Sequence, residues 1–525
     1  MPRMNGAQAL IRSLYREGVS VVFGIPGAGQ YDLIDAIYNE PGIRYISTRN
    51  EQATSYMADA YARVTGEVGT ILVVPGPGLF NAASGIATAH AASSRVLAIT
   101  GGSEKTSPDD AEGQIGWLKP ITKWRNRISS PGEAPAAVHE AFRQLTTGRP
   151  RPVAIEIDSA TQAREADIDL FERESYSPLQ ADDEAIQRAA QLLSAASSPM
   201  IMAGAGVVTS GASAALRQLA EHLQAPVVTT RSGKGTLSDR HPLSLGIAER
   251  KYQPLRDWMD GSDVLLSVGA GSKFADRAGD QTVIRIDIDG EELADADDGL
   301  VPIIGDARQS LEALLEVLAA ITPARPDRGS EIREFREKRF DPDSELQPQG
   351  AMIRAVRDAI PDDGILVHGM NQIGYYSRNF YPVYEPGGYL TPSRHGTLGA
   401  AFPLALGAKV GMPGRAVVAI SGDGGFLYNS GELATAVQHG INVVVIIFND
   451  NAYGNVLRAQ NDQYGGHVIG TRLHNPDFAA LARSYGAQGL TASDAGELNR
   501  MLSEALDVDA PTVIEVPVGT MEREF

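Results

Sequence analysis

The sequence predicts an α/β protein of three doubly wound domains with mainly parallel sheets, and three observations carry that expectation. The chain has 525 residues, and single cores stop growing beyond roughly 250–300 residues, so several cores are needed. Short apolar runs alternate with helical patterns in three successive series, the rhythm of βαβ units whose sheets are covered on both faces. Most of these runs end in glycine, as expected of strands whose carboxyl ends face a ligand crevice.

The first series comprises VSVVFGIP, IRYIST, GTILVVPGPG, RVLAITGG and PVAIEID, in an N-terminal domain over residues 1–165. Its turns GIPGAG, VPGPG and ITGG should line one crevice, which makes Pro75 and Gly76 candidate ligand contacts. The acidic stretch AREADIDLFERESYSPLQADD, residues 163–183, reads as a linker. The second series, PMIMAGAGVV, APVVTTRSGKG, DVLLSVGAG and TVIRIDID, falls in a Rossmann-like domain over residues 185–322. Residues 321–350 are rich in charge and proline and read as a second linker. The third series, GILVHG, GYLTPSRHG, AVVAISGDGG, NVVVIIFND and PTVIEVP, occupies residues 348–525.

Composition narrows the function. A net charge of −19 argues against a general nucleic-acid binder, which needs Lys and Arg against phosphates. With no cysteine, thiolate metal sites and cysteine nucleophiles are excluded. No apolar run approaches 18 residues, so no membrane helix is expected. The first residues, MPRMNGAQALIRSLYREG, read as an amphipathic helix and not as a signal peptide, and a cytoplasmic location is expected.

The chemistry concentrates in SGDGGFLYNSGELATAVQHGINVVVIIFNDNAYGNV, residues 421–456. Asp423 stands among Gly422, Gly424 and Gly425 at the end of one apolar strand, and Asp450 closes the next. Adjacent parallel strands place their carboxyl ends side by side, so both acids can reach one ion. A divalent cation held by one or two carboxylates while gripping phosphates is the usual mode of Mg²⁺. The helix starting near residues 430–432 is expected to offer its free N–H groups to an anion.

Gly-Asp-Gly followed by an Asn-Asp that closes an apolar strand resembles the signature of thiamine-diphosphate-dependent enzymes. Over essentially its full length the sequence resembles the acetolactate synthase and pyruvate-oxidase-like group. The resemblance implies thiamine diphosphate and Mg²⁺ as cofactors, with Asp423, Asp450 and the backbone carbonyl of Ala452 as metal ligands. The block NEQATSYMADAYARVTG matches the segment whose glutamate activates the cofactor, which implies that role for Glu51. In TPSRHGTLGAAF, Leu398 matches the aliphatic wedge that bends the cofactor, with Gly396 and Thr397 beside it.

Further correspondences carry departures. ILVHGMNQIG matches a diphosphate-binding strand end but reads Met370-Asn371, which leaves Asn371 as the candidate contact and Gln372 as a surface residue. Gln114, six residues before Pro120, is similar in placement to a glutamine facing the reacting centre in benzaldehyde lyase. The strip Tyr453-Gly454-Asn455-Val456, where the family sets substrate preference, lacks the synthases' Gly-Met-Val, and Ala459 stands where they have Trp. VGAGSKFADR resembles the flavin-binding synthases, but GIAERKYQPLRD lacks their Gly-Met-x-Gly turn, which weighs against FAD. The longer C-terminal tail of the synthases has no counterpart after VIEVPVGTMEREF.

The implied activity is carboligation or decarboxylation of a small 2-oxo acid or aldehyde. The alternatives are an acyloin or diketone lyase or hydrolase like benzaldehyde lyase, and a decarboxylase like the benzoylformate enzyme. The family builds its active sites between subunits, so a homodimer or homotetramer is implied.

Overall fold

The structure is a computed structural model and describes residues 2–102, 113–271, 279–294, 299–342 and 345–522. Among these residues the chain forms three six-stranded parallel sheets and one antiparallel pair, β1 (Arg3–Asn5) with β8 (Glu165–Asp167). The first sheet contains β2 (Val21–Gly24), β3 (Arg44–Ser47), β4 (Gly69–Val73), β5 (Val96–Gly101), β6 (Trp124–Ile128) and β7 (Val153–Ile157), in the order β3-β2-β4-β5-β7-β6. The central sheet contains β9 (Pro199–Ala203), β10 (Val227–Thr229), β11 (Ser244–Ile247), β12 (Val264–Val268), β13 (Thr282–Asp287) and β14 (Leu300–Ile304). Its order, β11-β10-β9-β12-β13-β14, is the dinucleotide-binding one, reversing between β9 and β12.

The third sheet contains β15 (Ile365–His368), β16 (Tyr389–Leu390), β17 (Val417–Gly422), β18 (Val444–Asn449), β19 (Gln488–Thr491) and β20 (Thr512–Pro517), in the order β16-β15-β17-β18-β20-β19. Counted from the first strand of each, the first and third sheets have the same order, 2-1-3-4-6-5. Their middle strands are continuous apolar runs because both faces are covered by helices. Each Val, Leu or Ile fully buried there contributes about 1.5–3 kcal/mol.

One apolar core joins the first and third sheets' layers. The helix Glu51–Thr65 and the helix Ala401–Gly411 share this core, with Tyr56, Met57, Phe402 and Leu406 among its buried members. The crossing is close: a Cβ on Gly407 would stand 2.1 Å from the Met57 carbonyl oxygen. The central sheet has its own core.

Two findings depart from the sequence reading. Edge strands β6, β11 and β19 were not expected, because WRNRI and QGLT are polar and half-buried and SLGI is short. Part of the stretch read as a second linker is the helix Gly329–Arg339. Its Ile332 and Phe335 are buried in the central core, Phe335 edge-on to Trp258 at 5.0 Å, while Arg336 donates to the carbonyls of Asp239 and Ser244 at 2.7 and 2.9 Å. Its charged majority hid the apolar stripe. Among the described residues no helix is long and apolar enough to cross a membrane.

Candidate functional site

Strands β15, β17 and β18 are neighbours in register, His368 opposite Ile420 and Gly422 opposite Phe448, so the segments that follow them emerge side by side. Asp423 does not sit in an open glycine turn: it begins the helix Asp423–Leu427 directly after β17 and is 2% exposed. The Asn475 amide donates to its Oδ2 at 2.6 Å and to the Asn449 Oδ1 at 2.9 Å. Burial raises the Asp423 pKa, and the Gly424 N–H, the Asn475 amide and the Ala452 N–H pull it back. Asp450 is pushed up to about 6, by burial first and then by the negative charge of Asp423.

Two carboxylates that repel one another form a donor set that a cation satisfies. The backbone of Ala452 lies beside it. Its N–H donates to Asp450 Oδ1 at 3.2 Å. Tyr453 N–H bonds the Thr471 carbonyl and Leu473 N–H that of Asn451, so Ala452 opposite Arg472 is a non-hydrogen-bonded antiparallel pair. In such a pair the residue's own carbonyl points away from the partner strand, to the same side as its N–H. Two carboxylate groups and one carbonyl, all oxygen, suit Mg²⁺ with phosphate or water filling the rest. Among the described residues no group of three His, Asp or Glu forms a metal cluster.

The surrounding residues also fit a diphosphate. Gln372, read from sequence as a surface residue, is half-buried: its Oε1 accepts from Arg458 at 2.6 Å, and its buried Nε2 has no hydrogen-bond partner. That nitrogen would stand 3.1 Å from a Cβ on Gly454, and Asp450 Oδ2 only 2.1 Å, so Gly454 leaves room for the acid and the amide alike. Asn371 caps the helix Gln372–Phe380, its Oδ1 accepting from the Gly374 N–H at 2.9 Å. Leu398 is half-buried, with Cδ2 3.9 Å from the Cβ position of Gly425, and Thr397 Oγ1 lies 3.2 Å from Thr88 Oγ1. Gly396 has φ +59° and packs on Met370. Tyr453 packs its ring on Gly424, Asn455 accepts from Arg458, and Val456 is 53% exposed.

The other candidates gather on the first sheet. Asn50 caps the helix Glu51–Thr65, accepting from the Gln52 N–H at 2.8 Å, and so fixes Glu51 at its first turn. Glu51 Oε2 accepts from the Asn81 amide at 3.1 Å, and its Oε1 stands 3.0 Å from the Cβ position of Gly78. Pro75 leads into Gly76, whose φ of +73° favours glycine. Gln114 is 1% exposed; its Oε1 accepts the Gly76 N–H, and its own N–H donates to the buried Glu156 at 2.9 Å. Gln114 therefore braces the Pro75–Gly76 turn beneath the Glu51 crevice. No hydrogen bond among the described residues joins Glu51 to Asp423 or Asp450.

The helix expected near residues 430–432 to face an anion does something else. It spans Glu432–His439, and Glu432, 1% exposed, turns toward the first sheet, accepting from the N–H groups of Arg49 and Asn50 at 3.0 and 2.9 Å. Burial pushes its pKa up to about 6 against the pull of Thr435 and these N–H groups. Sequence reasoning missed Glu432 and Asn475 because their partners lie far along the chain.

The central sheet carries a cavity of about 950 Å³ along the carboxyl ends of its strands, lined by Gly206, Thr230, Arg231, Gly269, Asp287 and Arg308 among others. Open α/β sheets bind ligands there, where the strand order reverses. From residue 272 onward, the SKFADR part of VGAGSKFADR lies outside the described residues.

Comparison with known proteins accounts for all three sheets. Residues 4–120, 186–314 and 370–516 match, respectively, the N-terminal TPP binding domain, the central domain and the C-terminal TPP binding domain of thiamine pyrophosphate enzymes. A probable acetolactate synthase large subunit of Methanocaldococcus jannaschii is 35% identical over 99% of this chain and 93% of its own. The acetolactate synthase isozyme 3 large subunit of Escherichia coli is 32% identical over 97% and 93%. A probable 2-ketoarginine decarboxylase of Pseudomonas aeruginosa is 33% identical over 98% and 94%.

Proposed function

The chain belongs to the thiamine pyrophosphate enzymes, and from that premise we propose that it is an acetolactate synthase-like carboligase that decarboxylates one small 2-oxo acid and joins the remainder to a second carbonyl compound. The observation that carries the reading is the Asp423–Asp450–Ala452 oxygen set at the adjacent ends of β17 and β18. The named relatives, synthases and a decarboxylase, favour this over the acyloin- or diketone-cleaving alternative.

Thiamine diphosphate supplies, when bound, a nucleophilic carbon and an electron sink for the carbanion left by carbon dioxide. The residues have separate tasks. Asp423, Asp450 and the Ala452 carbonyl would hold Mg²⁺, which would supply positive charge for the diphosphate; Gly422, Gly424, Gly425 and the Gln372 amide would leave room for that group. Leu398 supports the bend between the rings. Glu51 hydrogen-bonds the pyrimidine ring and moves the proton that activates the cofactor, while the turn of Pro75 and Gly76 braced by Gln114 lines that ring's side. The strip Tyr453 to Val456 borders the substrate.

The proposal includes a homodimer or homotetramer in the cytoplasm, with each site built from Glu51 of one chain and Asp423 of another. Exposed apolar groups flank both halves: Phe80 stacked on Trp117 at 4.7 Å, and Tyr428 and Val456. Co-assembling Glu51→Gln chains with Asp423→Ala chains tests this, because a hybrid dimer then holds one intact site. Recovered turnover in the mixture supports it; none, with hybrids present, opposes it. For the central cavity the proposal keeps the sequence reading, which weighs against flavin, and a flavin absorbance band in purified protein would overturn that part.

The deciding experiment incubates the protein with pyruvate, thiamine diphosphate and Mg²⁺ and assays carbon dioxide and acetolactate. Formation of both fits the proposal. Neither product from pyruvate or other small 2-oxo acids, with cleavage of added benzoin, would replace it with the lyase.

A further inference from the structure

Glu432 belongs to the third sheet's layer, yet every hydrogen bond its side chain makes outside its own helix goes to the segment immediately ahead of Glu51. Its two oxygens accept the Arg49 N–H at 3.0 and 3.2 Å, and Oε1 also accepts the Asn50 N–H at 2.9 Å. Thr435 Oγ1 donates to Oε2 at 2.6 Å and holds the carboxylate in place. Asn50 is the residue whose side chain starts the Glu51 helix.

The rest of the helix Glu432–His439 grips the same segment. His439 Nε2 stands 3.1 Å from the Ser47 N, Gln438 Nε2 donates to Ser47 Oγ at 3.0 Å, and Arg49 donates to Gln438 Oε1 at 2.6 Å. Just before that helix, the Asn429 amide donates to Gln52 Oε1 at 3.1 Å and to the Gly399 carbonyl at 2.8 Å, next to Leu398. Residues 47 to 52 are therefore held from the third sheet's layer at four positions, Ser47, Arg49, Asn50 and Gln52, and Glu51, between the last two, is left to face a ligand.

A carboxylate removed from water and given three directed donors is a costly way to hold a loop unless the position of that loop matters. An apolar contact would serve stability alone. Glu432 also lies nine residues after Asp423 along one continuous segment, so the same stretch of chain ends at the metal candidate on one side and at the Glu51 loop on the other.

We propose that Glu432 is a positioning residue: by clamping the Arg49 and Asn50 amides it sets the direction of the Glu51 carboxylate, and it ties that carboxylate to the segment that begins at Asp423. This rests on the reading of Glu51 as the activating acid. If each site takes Glu51 and Asp423 from different chains, the clamp also links one site of the dimer to the other.

The test is a double-mutant cycle on the full-length holoenzyme with Glu51→Gln, Glu432→Gln and the pair. Glu432→Gln keeps the shape and one acceptor but loses the charge, and displacement of a reacting group by about 1 Å can cost about 10²-fold. The expected result is a fall in kcat of that order with KM for the 2-oxo acid and cofactor affinity near wild type. In the Glu51→Gln background the second substitution should cost less than about twofold, because it acts through Glu51. Glu432→Asp, which keeps the charge, should recover part of the loss. Amide hydrogen exchange of residues 47–52 in cofactor-free protein should speed up in Glu432→Gln while the β18 amides stay protected. Equal losses in both backgrounds, or unchanged exchange at residues 47–52, would overturn the proposal. If Glu51→Gln alone leaves kcat unchanged, the assignment of Glu51 fails instead, and the exchange measurement still decides whether Glu432 holds the loop.

Discussion

The first and third sheets share one strand order and differ in where their acids stand. In the third, the middle strands β17 and β18 lead into Asp423 and Asp450, and the charge of Asp423 adds to burial in raising the proton affinity of Asp450. In the first, the matching strands β4 and β5 lead into Val74-Pro75-Gly76 and Gly102, and the acid of that crevice, Glu51, follows the edge strand β3. On the proposed function, the same scaffold offers a paired charge to hold the metal and a single carboxylate, held by an amide, to exchange one proton with the ring. The order of strands does not choose between these. The residues at the strand ends do.

Removing the single acid should have the largest effect on turnover. Glu51→Gln is expected to lower kcat by about 10²–10⁴-fold, the usual range for a general acid–base group, with thermal stabilisation by thiamine diphosphate and Mg²⁺ retained. A loss of both would make Glu51 a binding residue and erase the distinction between the two sheets.

Crowding the paired acids comes next. Gly454→Ala places a methyl at the Asp450 Oδ2 position and should weaken Mg²⁺ by about 10–100-fold, the range found when a ligand's support is disturbed. Titrating Mg²⁺ against turnover reads it, and an unchanged half-saturating concentration would detach Asp450 from the metal.

The repulsion can be measured without metal. Asp450 has a folded pKa pushed up to about 6, above the ordinary value of about 3.9, so the folded state holds its proton more tightly than the unfolded state. Its contribution to stability is therefore present at low pH and is lost as pH rises from about 4 to about 6. In chelator, Asp450→Asn should flatten this fall, so that urea midpoints of variant and wild type diverge toward pH 7 in favour of the variant. Glu432, also pushed up to about 6, falls in the same window, which is why the difference between the two proteins is the informative quantity. Parallel pH profiles would show that the pair is not in conflict.

The smallest effect belongs to the first sheet's turn. Gly76→Ala forces a side chain into φ +73° at a cost of about 1–3 kcal/mol, readable as a lower thermal midpoint. A stable variant with normal cofactor affinity would mean that the turn is not fixed by Gln114.

The middle of each sheet was legible in the sequence because strands buried on both faces are written as unbroken apolar runs, such as VVAIS and VVVIIF. Edge strands were not, since WRNRI carries two arginines and earns its place by pairing with β7 alone. Asp423 and Asp450 could be paired from spacing, because parallel neighbours share an end. The helix Gly329–Arg339 was masked by its charges. Glu432 was illegible for a different reason: its partners are backbone N–H groups more than 380 residues away, and no residue type announces a backbone donor. Gln372 became interpretable only when one of its two amide atoms was found paired and the other buried without a partner.

The central claim is that two sheets of one topology divide the cofactor between them, the third holding metal and diphosphate and the first supplying the activating acid. Calorimetric titration of thiamine diphosphate with Mg²⁺ into Asp423→Ala and Glu51→Gln proteins side by side tests it most directly. The account predicts no measurable heat with Asp423→Ala and near wild-type binding with Glu51→Gln. Wild-type binding by Asp423→Ala, or its loss in Glu51→Gln alone, would contradict it.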